Sequence, residues 1–386
     1  MSAEERELRR ARAYLSRVAE PPAPALSELI AEVGPVRAAR LVASADVPRR
    51  VAAETAARRG DDRADTDLSG IAAIGGRLVA PEDAEWPTEV FSCFSTPAAQ
   101  ADERWRAPVA LWVRGTGRLD EIGNRAVAVV GARAATGDGE HVAAEFGDQL
   151  AMDGFAVISG AAFGIDGASH RGALVAEGRT VAVQACGLDR AYPAGHHRLL
   201  DQIASAGAVI SEYPPGARPA RHRFLVRNRL IAALAAGTVV VEAGIRSGAR
   251  STAAAAAALG RVVMAVPGPV TSAMSVGCHQ LMREENAVPV TRAEEVAEAV
   301  GRIGMDLAPP PVMPRRPTDG LNPELLAVYD ALPARAPRHP EQLARDAGVA
   351  LQRVRAALPL LELQGLVGCG TSGWYRTLSG VGRGGT

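Results

Sequence analysis

Between Ala126 and Gly301 the sequence alternates short apolar, β-branched runs with alanine-rich stretches of helical periodicity. Six such runs predict strands at Ala126–Val130, Ala156–Ser159, Thr180–Ala185, Ala208–Ser211, Thr238–Val241 and Val262–Val266. They are apolar throughout, as strands buried on both faces must be. The alternation therefore predicts an α/β fold built on a doubly wound parallel sheet, with helices on both faces.

The sequence before this region predicts a small helical domain. Residues 1–75 alternate charged stretches with stretches rich in alanine and leucine at helical spacing. Within them, Gly34-Pro35 resembles the turn of a SAM-like or helix-hairpin-helix unit, although a purely structural helical turn is the simpler interpretation. Residues 76–304 are assigned to the sheet domain, with 76–125 as an extended lead-in to the sheet.

The carboxyl-terminal part predicts a separate module. A cluster of prolines marks a stiff linker over 305–320. Residues 321–386 then predict three helices and a two-stranded wing, which together make a winged helix. Pro359 lies within the third helix and is expected to kink or shorten it. Because this module carries seven arginines against five acids, DNA binding and protein interaction both stay open for it.

Charge restricts the partners of the chain. The 43 basic and 43 acidic residues give a formal net charge of zero, which excludes attraction of anions by overall charge. Every basic residue is an arginine, so chemistry that needs a lysine amine, including that of a P-loop, is also excluded. Between Tyr213 and Arg250, however, seven arginines stand against the single acid Glu242. This local excess predicts a phosphate-bearing partner.

Loops rich in glycine or arginine follow three of the predicted strands. In an open parallel sheet, ligands bind at the carboxyl ends of the strands, where helix amino termini present free amides. Asp166 and Glu242 are expected to cap or orient neighbouring groups rather than to react. The predicted phosphate contacts are Gly131, Arg133, Ser159, Gly160, Gly164, Arg221, Arg223, Arg227, Asn228, Arg229, Ser247 and Gly248.

Several other classes of protein fit poorly. Gly131 is followed by Gly137 and Gly139 at the wrong spacing for a dinucleotide-binding loop. The histidines and the four cysteines show no metal-ligand spacing, so neither a metal nor a cofactor is expected. The charged amino terminus and the absence of a long apolar run predict a cytoplasmic protein without a membrane segment. With few aromatic residues in the chain, base stacking is expected to matter little.

The motifs of the sheet region occur in the order found in the DNA-processing protein A (DprA, or Smf) family, which this chain resembles. The resemblance covers roughly residues 120–300, and the flanking domains are similar more weakly. The matching motifs are Gly131-Ala132-Arg133, Ser159 through Asp166, Cys186 through Asp189 with Tyr192-Pro193, Ser211 through Gly216, Phe224 through Arg229, Val241-Glu242-Ala243 with Ser247-Gly248, and Ala265 through Gly268.

The resemblance implies a Rossmann-like domain that binds single-stranded DNA without catalysis, forms a homodimer and loads the recombinase RecA during natural transformation. In that comparison Arg133 and Arg227-Asn228-Arg229 take the places of phosphate contacts, and the Ser159-Gly160 turn and Gly164 supply amides. Two departures bear on the site. Ala132 replaces a serine, and Arg250 adds a charge after Ser247-Gly248.

Two alternatives belong to other classes. One is an enzyme, a nucleotide phosphoribohydrolase of the lysine-decarboxylase-like group, although the P-G-G-x-G-T loop of that class is missing here. The other is a regulator that binds duplex DNA through the winged helix. Release of a free base from nucleoside monophosphates would reveal the first, and a preference for duplex over single-stranded DNA would reveal the second.

Overall fold

The computed structural model describes residues 2–310, 316–334 and 336–377, which divide after Pro309 into two compact units. The division falls inside the segment predicted as a proline-rich linker. Two of the prolines that suggested this linker, Pro311 and Pro314, lie outside the described residues.

The first unit begins with five helices and continues as alternating strands and helices. The helices are α1 (Ala3–Val18), α2 (Pro24–Val33), α3 (Pro35–Ser44), α4 (Arg49–Thr55), α5 (Ala64–Ala73), α6 (Thr88–Phe91), α7 (Pro97–Gln100), α8 (Leu119–Gly123), α9 (Gly137–Met152), α10 (Ile165–Val175), α11 (His197–Ala206), α12 (Arg221–Ala233), α13 (Ala249–Ala258), α14 (Val276–Glu284) and α15 (Ala293–Val300). Short 3₁₀ turns lie at Ser92–Ser95 and Ala194–His196.

Nine strands form one mixed sheet. They are β1 (Gly76–Val79), β2 (Leu111–Arg114), β3 (Ala126–Val130), β4 (Ala156–Ser159), β5 (Thr180–Gln184), β6 (Ala208–Ser211), β7 (Gly237–Val240), β8 (Val262–Ala265) and β9 (Val288–Pro289). Their order across the sheet is β1-β2-β6-β5-β4-β3-β7-β8-β9, and the seven strands from β6 to β9 are parallel. The predicted α/β class and its doubly wound parallel core are confirmed.

The segment 76–125 differs from the prediction. Instead of leading into the sheet as extended chain, it adds two strands to the sheet, with β2 pairing antiparallel to β6 and β1 antiparallel to β2. The short helices α6, α7 and α8 fill the rest of the segment. The sheet is therefore mixed at this edge rather than wholly parallel.

The amino-terminal helices pack on the sheet and share a hydrophobic core with it. Tyr14 of α1 and Leu26 of α2 are buried in the same cluster as Trp112 of β2 and Val209 of β6. Gly34 joins α2 to α3 at φ 78°, a left-handed backbone conformation that favours glycine. The change at residue 75 is therefore one of secondary structure, within a single compact unit.

The second unit contains three helices and a hairpin. These are α16 (Pro323–Ala331), α17 (Pro340–Ala347), α18 (Leu351–Leu363), β10 (Val367–Gly370) and β11 (Gly373–Arg376), with β10 and β11 antiparallel. This is the predicted three-helix arrangement with a wing. Pro359 lies inside α18 without ending it, so the expected shortening of the third helix is wrong.

Candidate functional site

A crevice of the first unit lies where the sheet reverses its winding. From β3 the chain proceeds outward through β4, β5 and β6, and then returns to place β7 on the other side of β3. The loops that leave β3 and β7 consequently diverge, and a crevice opens between them at the carboxyl ends of the strands. Its volume is about 790 Å³, and residues from both loops and from the start of α12 line it.

Arginine dominates the charge of this crevice. Of the described residues that line it, four are arginines, at positions 133, 221, 227 and 246, and one, Asp166, is an acid. Arg133, Arg221 and Arg246 are exposed. Three of the seven arginines counted between Tyr213 and Arg250 therefore line the cavity, together with Arg133.

Arg227 differs from the other three because it is 5% exposed. One terminal nitrogen, Nη1, donates hydrogen bonds to two carbonyl oxygens, that of Gly160 at 3.1 Å and that of Val183. The Nε of Arg227 has no partner among the described residues. Burial lowers the pKa of Arg227 to about 10; nearby Asp166 opposes this shift and Arg133 adds to it. A guanidinium that lines a cavity with unused donors is a favourable contact for an anion.

Asp166 occupies the centre of the loops that were predicted to bind phosphate. Its carboxylate accepts the Ala162 N–H at 3.4 Å, and the N–H groups of Gly131 and Gly160 also act on it. Burial raises its pKa, whereas Arg227 and these amides oppose the rise. The Ala162 amide thus binds a carboxylate of the chain itself, and the amides of Gly131 and Gly160 help to stabilise the same carboxylate.

Ser159 and Gly164 have structural roles. The buried Ser159 hydroxyl donates to the carbonyl oxygen of Val129 at 2.6 Å and so joins β4 to β3. Gly164 has φ 72°, and a Cβ there would lie 2.4 Å from the carbonyl oxygen of Ala132. Glycine at this position lets the β4–α10 loop approach the loop that carries Arg133. Neither residue lines the crevice.

Arg223 and Arg229 are turned away from the crevice. The Arg229 guanidinium is buried and forms a two-point ion pair with Glu212, at 2.7 and 2.8 Å. Arg223 forms a similar pair with Glu20, at 2.7 and 2.9 Å, and its guanidinium lies 4.6 Å from the Tyr213 ring centre. Neither arginine lines the crevice, and both ion pairs weigh against the predicted phosphate contacts, which stay predictions.

The charge of Arg250 is also taken up by the protein. Its guanidinium donates to Gln280 Oε1 at 3.0 Å and pairs with Glu285 at 3.5 Å. Arg250 does not line the crevice. The expectation that this arginine adds charge beside the pocket stays a prediction, and the ion pair with Glu285 weighs against it.

Glu242 and Asn228 hold the walls of the crevice in place. Glu242 accepts hydrogen bonds from the backbone N–H and the hydroxyl of Thr136, at 2.9 and 2.6 Å, and so anchors the loop between β3 and α9. Glu242 was expected to orient a neighbouring group, and in the structure that group is this loop rather than an arginine. Asn228 donates to the carbonyl oxygen of Gly248 at 3.3 Å and ties α12 to the Ser247-Gly248 turn. Asn228, Ser247 and Gly248 all line the crevice.

Three aromatic side chains gather beside the arginines, which the small number of aromatic residues did not predict. The ring centres of Tyr192 and Phe224 are 5.2 Å apart, and Phe163 is 51% exposed. Together with Gln184 they line a second cavity of about 260 Å³ that shares Arg133 and Arg227 with the crevice. All three aromatics lie within or next to motifs that already carried the family resemblance, and this position is the signal that could have found them.

Other kinds of site are not seen in the described residues. They contain no group of three or more histidine, cysteine, aspartate or glutamate side chains placed to hold a metal ion. No helix among them has the length and apolar character needed to cross a membrane.

Comparison with known proteins gives consistent results along the chain. The family model for DNA recombination-mediator protein A matches residues 77–301, and that for the DprA winged helix domain matches residues 310–370. A putative DNA processing protein DprA of Mycobacterium tuberculosis (strain ATCC 25618 / H37Rv) is 51% identical over 374 residues, which cover 97% of this chain and 96% of that protein.

Two comparisons with Streptococcus pneumoniae agree with this result. Its DNA processing protein DprA is 41% identical over 194 residues, covering 50% of this chain and 67% of that protein. The X-ray structure of DprA from the same species superposes with a TM-score of 0.62 at 29% identity, covering 75% of this chain and 96% of the other.

Proposed function

The chain belongs to the DNA recombination-mediator protein A family, and we propose on this premise that it binds single-stranded DNA in the crevice between β3 and β7. The observation that carries this proposal is the arginine lining of the crevice. Four guanidiniums and one carboxylate, that of Asp166, line the crevice, although the chain has no net charge. This local positive charge favours a ligand with repeated phosphates. The residues proposed to contact DNA are Gly131, Arg133, Arg221, Arg227, Asn228, Arg246, Ser247 and Gly248.

The aromatic side chains favour a single strand over a duplex. Phe224, Tyr192 and the exposed Phe163 present ring surfaces beside the arginines. Bases stack on such surfaces only when they are free of a helical stack, and this contact tolerates any sequence. The combination of guanidiniums with adjacent rings therefore supports binding of unpaired DNA without strong sequence preference.

The proposal extends to the biological role. The protein acts as a homodimer, performs no chemistry on the strand and loads RecA onto it during recombination, including natural transformation. Family membership supports this role, and the role places the protein in the cytoplasm with RecA. The proposal that the protein performs no chemistry is supported by Asp166, the acid that lines the crevice. Its carboxylate already interacts with backbone amides and with Arg227.

Binding measurements test the proposal. Fluorescence anisotropy with a labelled oligonucleotide of about 16 nucleotides, single-stranded or annealed to its complement, gives both affinities for the full chain. We expect the single strand to bind at least about tenfold more tightly than the duplex. Equal or tighter binding of the duplex would favour the winged-helix regulator, and release of free base from nucleoside monophosphates would favour the phosphoribohydrolase.

The RecA step has its own assay. RecA filament formation is followed on single-stranded DNA coated with single-strand-binding protein, with and without the full chain. Faster filament formation with the chain is expected, and no change would overturn this part of the proposal alone.

A further inference from the structure

The first turn of α12 carries side chains with two different roles. Arg221 and Phe224 line the crevice, whereas Arg223, in the same turn, does not line it. A turn of helix moves as one piece, because its backbone hydrogen bonds fix the residues relative to one another. A contact that holds Arg223 in place therefore also fixes where Arg221 and Phe224 stand in the crevice.

The start of α12 lacks the features that normally stabilise the beginning of a helix. Ala220 at the N-cap provides no side-chain hydrogen bond, and the first turn contains no acid. The turn contains instead Arg221, His222 and Arg223, and positive charge is unfavourable at the positive end of the helix dipole. The position of this turn therefore depends on contacts with other parts of the chain.

Glu20, in the loop between α1 and α2, makes such a contact. Its carboxylate accepts hydrogen bonds from Nε and Nη2 of Arg223, at 2.7 and 2.9 Å, and lies 3.2 Å from Nε2 of His222. Arg58, which follows α4, donates to the same carboxylate at 2.7 Å from the side of the amino-terminal helices. One carboxylate thus joins these helices to the first turn of α12 and brings negative charge to its start.

Two further hydrogen bonds hold the loop that leads from β6 into α12. Arg17, in the last turn of α1, donates to the carbonyl oxygen of Pro215 at 2.8 Å. Arg223 donates through Nη1 to the carbonyl oxygen of Arg218, also at 2.8 Å. The amino-terminal helices therefore contact both the loop and the turn that follows it, and these contacts set the direction in which α12 begins.

We propose that Glu20 is a positioning residue for DNA binding. Through Glu20 the amino-terminal helices hold the first turn of α12, and with it Arg221 and Phe224, in the orientation that meets the strand. The inference rests on the proposed binding of single-stranded DNA. It gives the amino-terminal helices a part in that binding, although none of their described residues lines the crevice.

Charge and position predict opposite effects when Glu20 is neutralised. An acid near a DNA-binding crevice repels phosphate and occupies Arg223, so its loss would tighten binding if charge alone mattered. If Glu20 positions α12, Glu20→Gln should instead bind single-stranded DNA about three- to tenfold more weakly, within the range of coupling between residues in contact. The slope of log affinity against log salt should become shallower, because Arg221 meets phosphate less well. Anisotropy titrations of the full chain measure both quantities.

Glu82→Gln is the matched control. Glu82 forms a two-point ion pair with Arg12 of α1, and its side chain is 34% exposed against 32% for Glu20. This pair joins α1 to the segment after β1 and not to α12. Glu82→Gln should therefore leave DNA affinity and salt slope unchanged. All titrations are made well below the unfolding temperature of the least stable variant, and stoichiometric titration gives the active fraction of each.

Two more variants separate position from charge. Glu20→Asp keeps the charge but shortens the side chain, so binding should weaken although the net charge is unchanged, and this variant serves if Glu20→Gln does not fold. Arg223→Gln breaks the same ion pair from the side of α12. The double variant Glu20→Gln with Arg223→Gln should bind no more weakly than either single variant, because both losses act through one contact.

The outcomes separate this inference from the proposed function. Unchanged or tighter binding by Glu20→Gln, or an equal loss in Glu82→Gln, would overturn the positioning role and leave the proposed function standing. Additive losses in the double variant, or native affinity in Glu20→Asp, would do the same. Failure of the native chain to bind single-stranded DNA would overturn the proposed function itself.

Discussion

The guanidinium carbon of Arg133 lies 5.2 Å from the centre of the Phe224 ring, although the two residues come from different elements. Arg133 belongs to the loop after β3, and Phe224 belongs to the first turn of α12. The guanidinium of Arg227 lies 5.9 Å from the same ring centre. Two cations and one aromatic ring therefore form a compact unit that can bind a phosphate and the neighbouring base of one strand.

Replacing Arg133 should weaken binding of single-stranded DNA in a salt-dependent way. We expect Arg133→Ala to cost about 1–3 kcal/mol of binding free energy, because an exposed phosphate contact is lost. The slope of log affinity against log salt should become shallower by about one unit, since one fewer counterion is released. Anisotropy titrations across a salt series measure both quantities.

Arg179→Ala is the matched control for this variant. Arg179 is an exposed arginine just before β5, at the amino end of that strand and so opposite the crevice, where it pairs with Glu121 at 3.4 Å. It should leave affinity and slope unchanged. Equal losses of affinity in Arg133→Ala and Arg179→Ala would mean that the arginines of the crevice contribute no more to DNA binding than an arginine elsewhere on the surface.

Phe224 should contribute through its ring surface. Phe224→Ala is expected to lose about 1–3 kcal/mol of affinity for single-stranded DNA, the value of one base–aromatic stacking contact. Phe224→Trp should retain most of the affinity because it keeps a ring at the same position. An oligonucleotide of abasic sites should bind Phe224→Ala and the native chain equally, and a persistent difference with that probe would argue against stacking.

The ion pair between Arg229 and Glu212 should support the fold rather than DNA binding. Arg229→Met leaves the Glu212 carboxylate buried without a partner and should lower the free energy of unfolding by about 3–5 kcal/mol. Removing both charges with Arg229→Met and Glu212→Leu together should restore much of this loss. Urea denaturation measures the effect. A double variant no more stable than Arg229→Met would show that the buried charge is not the cause.

Glu20 should make the stability of the first unit depend on pH. Burial acts to raise its pKa, but the hydrogen-bonded ion pairs with Arg223 and Arg58 outweigh this effect and hold the pKa below its usual value. A depressed pKa means that the stabilisation is present above the unfolded-state value of about 4.3 and is lost as the pH falls through the folded-state value.

The unfolding temperature tests this dependence. Glu20→Gln should unfold at a lower temperature than the native chain near neutral pH, and the gap should close on acidification to about pH 3. If the difference in unfolding temperature stayed constant over this pH range, the substitution would destabilise the protein through altered packing and not through the lost charge.

The sequence predicted the parallel core well because its strands are buried on both faces. The bounds of β3, β4 and β6 agree with the prediction to the residue, and those of β5, β7 and β8 differ by one residue at their ends. β1 and β2 were missed because they lie in a segment interrupted by proline and acids, which hides the alternation of strands and helices seen after Ala126. The antiparallel pairing of β2 with β6 joins segments about 100 residues apart in sequence, which local patterns do not reveal.

The sequence predicted the position of the crevice but not which arginines face it. The arginines of α12 look equivalent when charges are counted. In the structure, however, Arg229 forms an ion pair with Glu212, and Arg223 forms one with Glu20, an acid about 200 residues away in sequence. A partner 203 residues away, as Glu20 is from Arg223, cannot be inferred from local composition. The aromatic cluster was missed because the prediction used the small number of aromatic residues in the whole chain. That number does not show that three of them line one cavity.

Photocrosslinking tests most directly where the strand lies. A single-stranded oligonucleotide containing 5-iodouracil is bound to the full chain and irradiated, and the modified peptides are identified by mass spectrometry. The proposed function predicts adducts at Phe224, Tyr192 or Phe163, and their loss when unmodified single-stranded DNA competes. Adducts confined to the carboxyl-terminal unit, with none at the crevice, would contradict it.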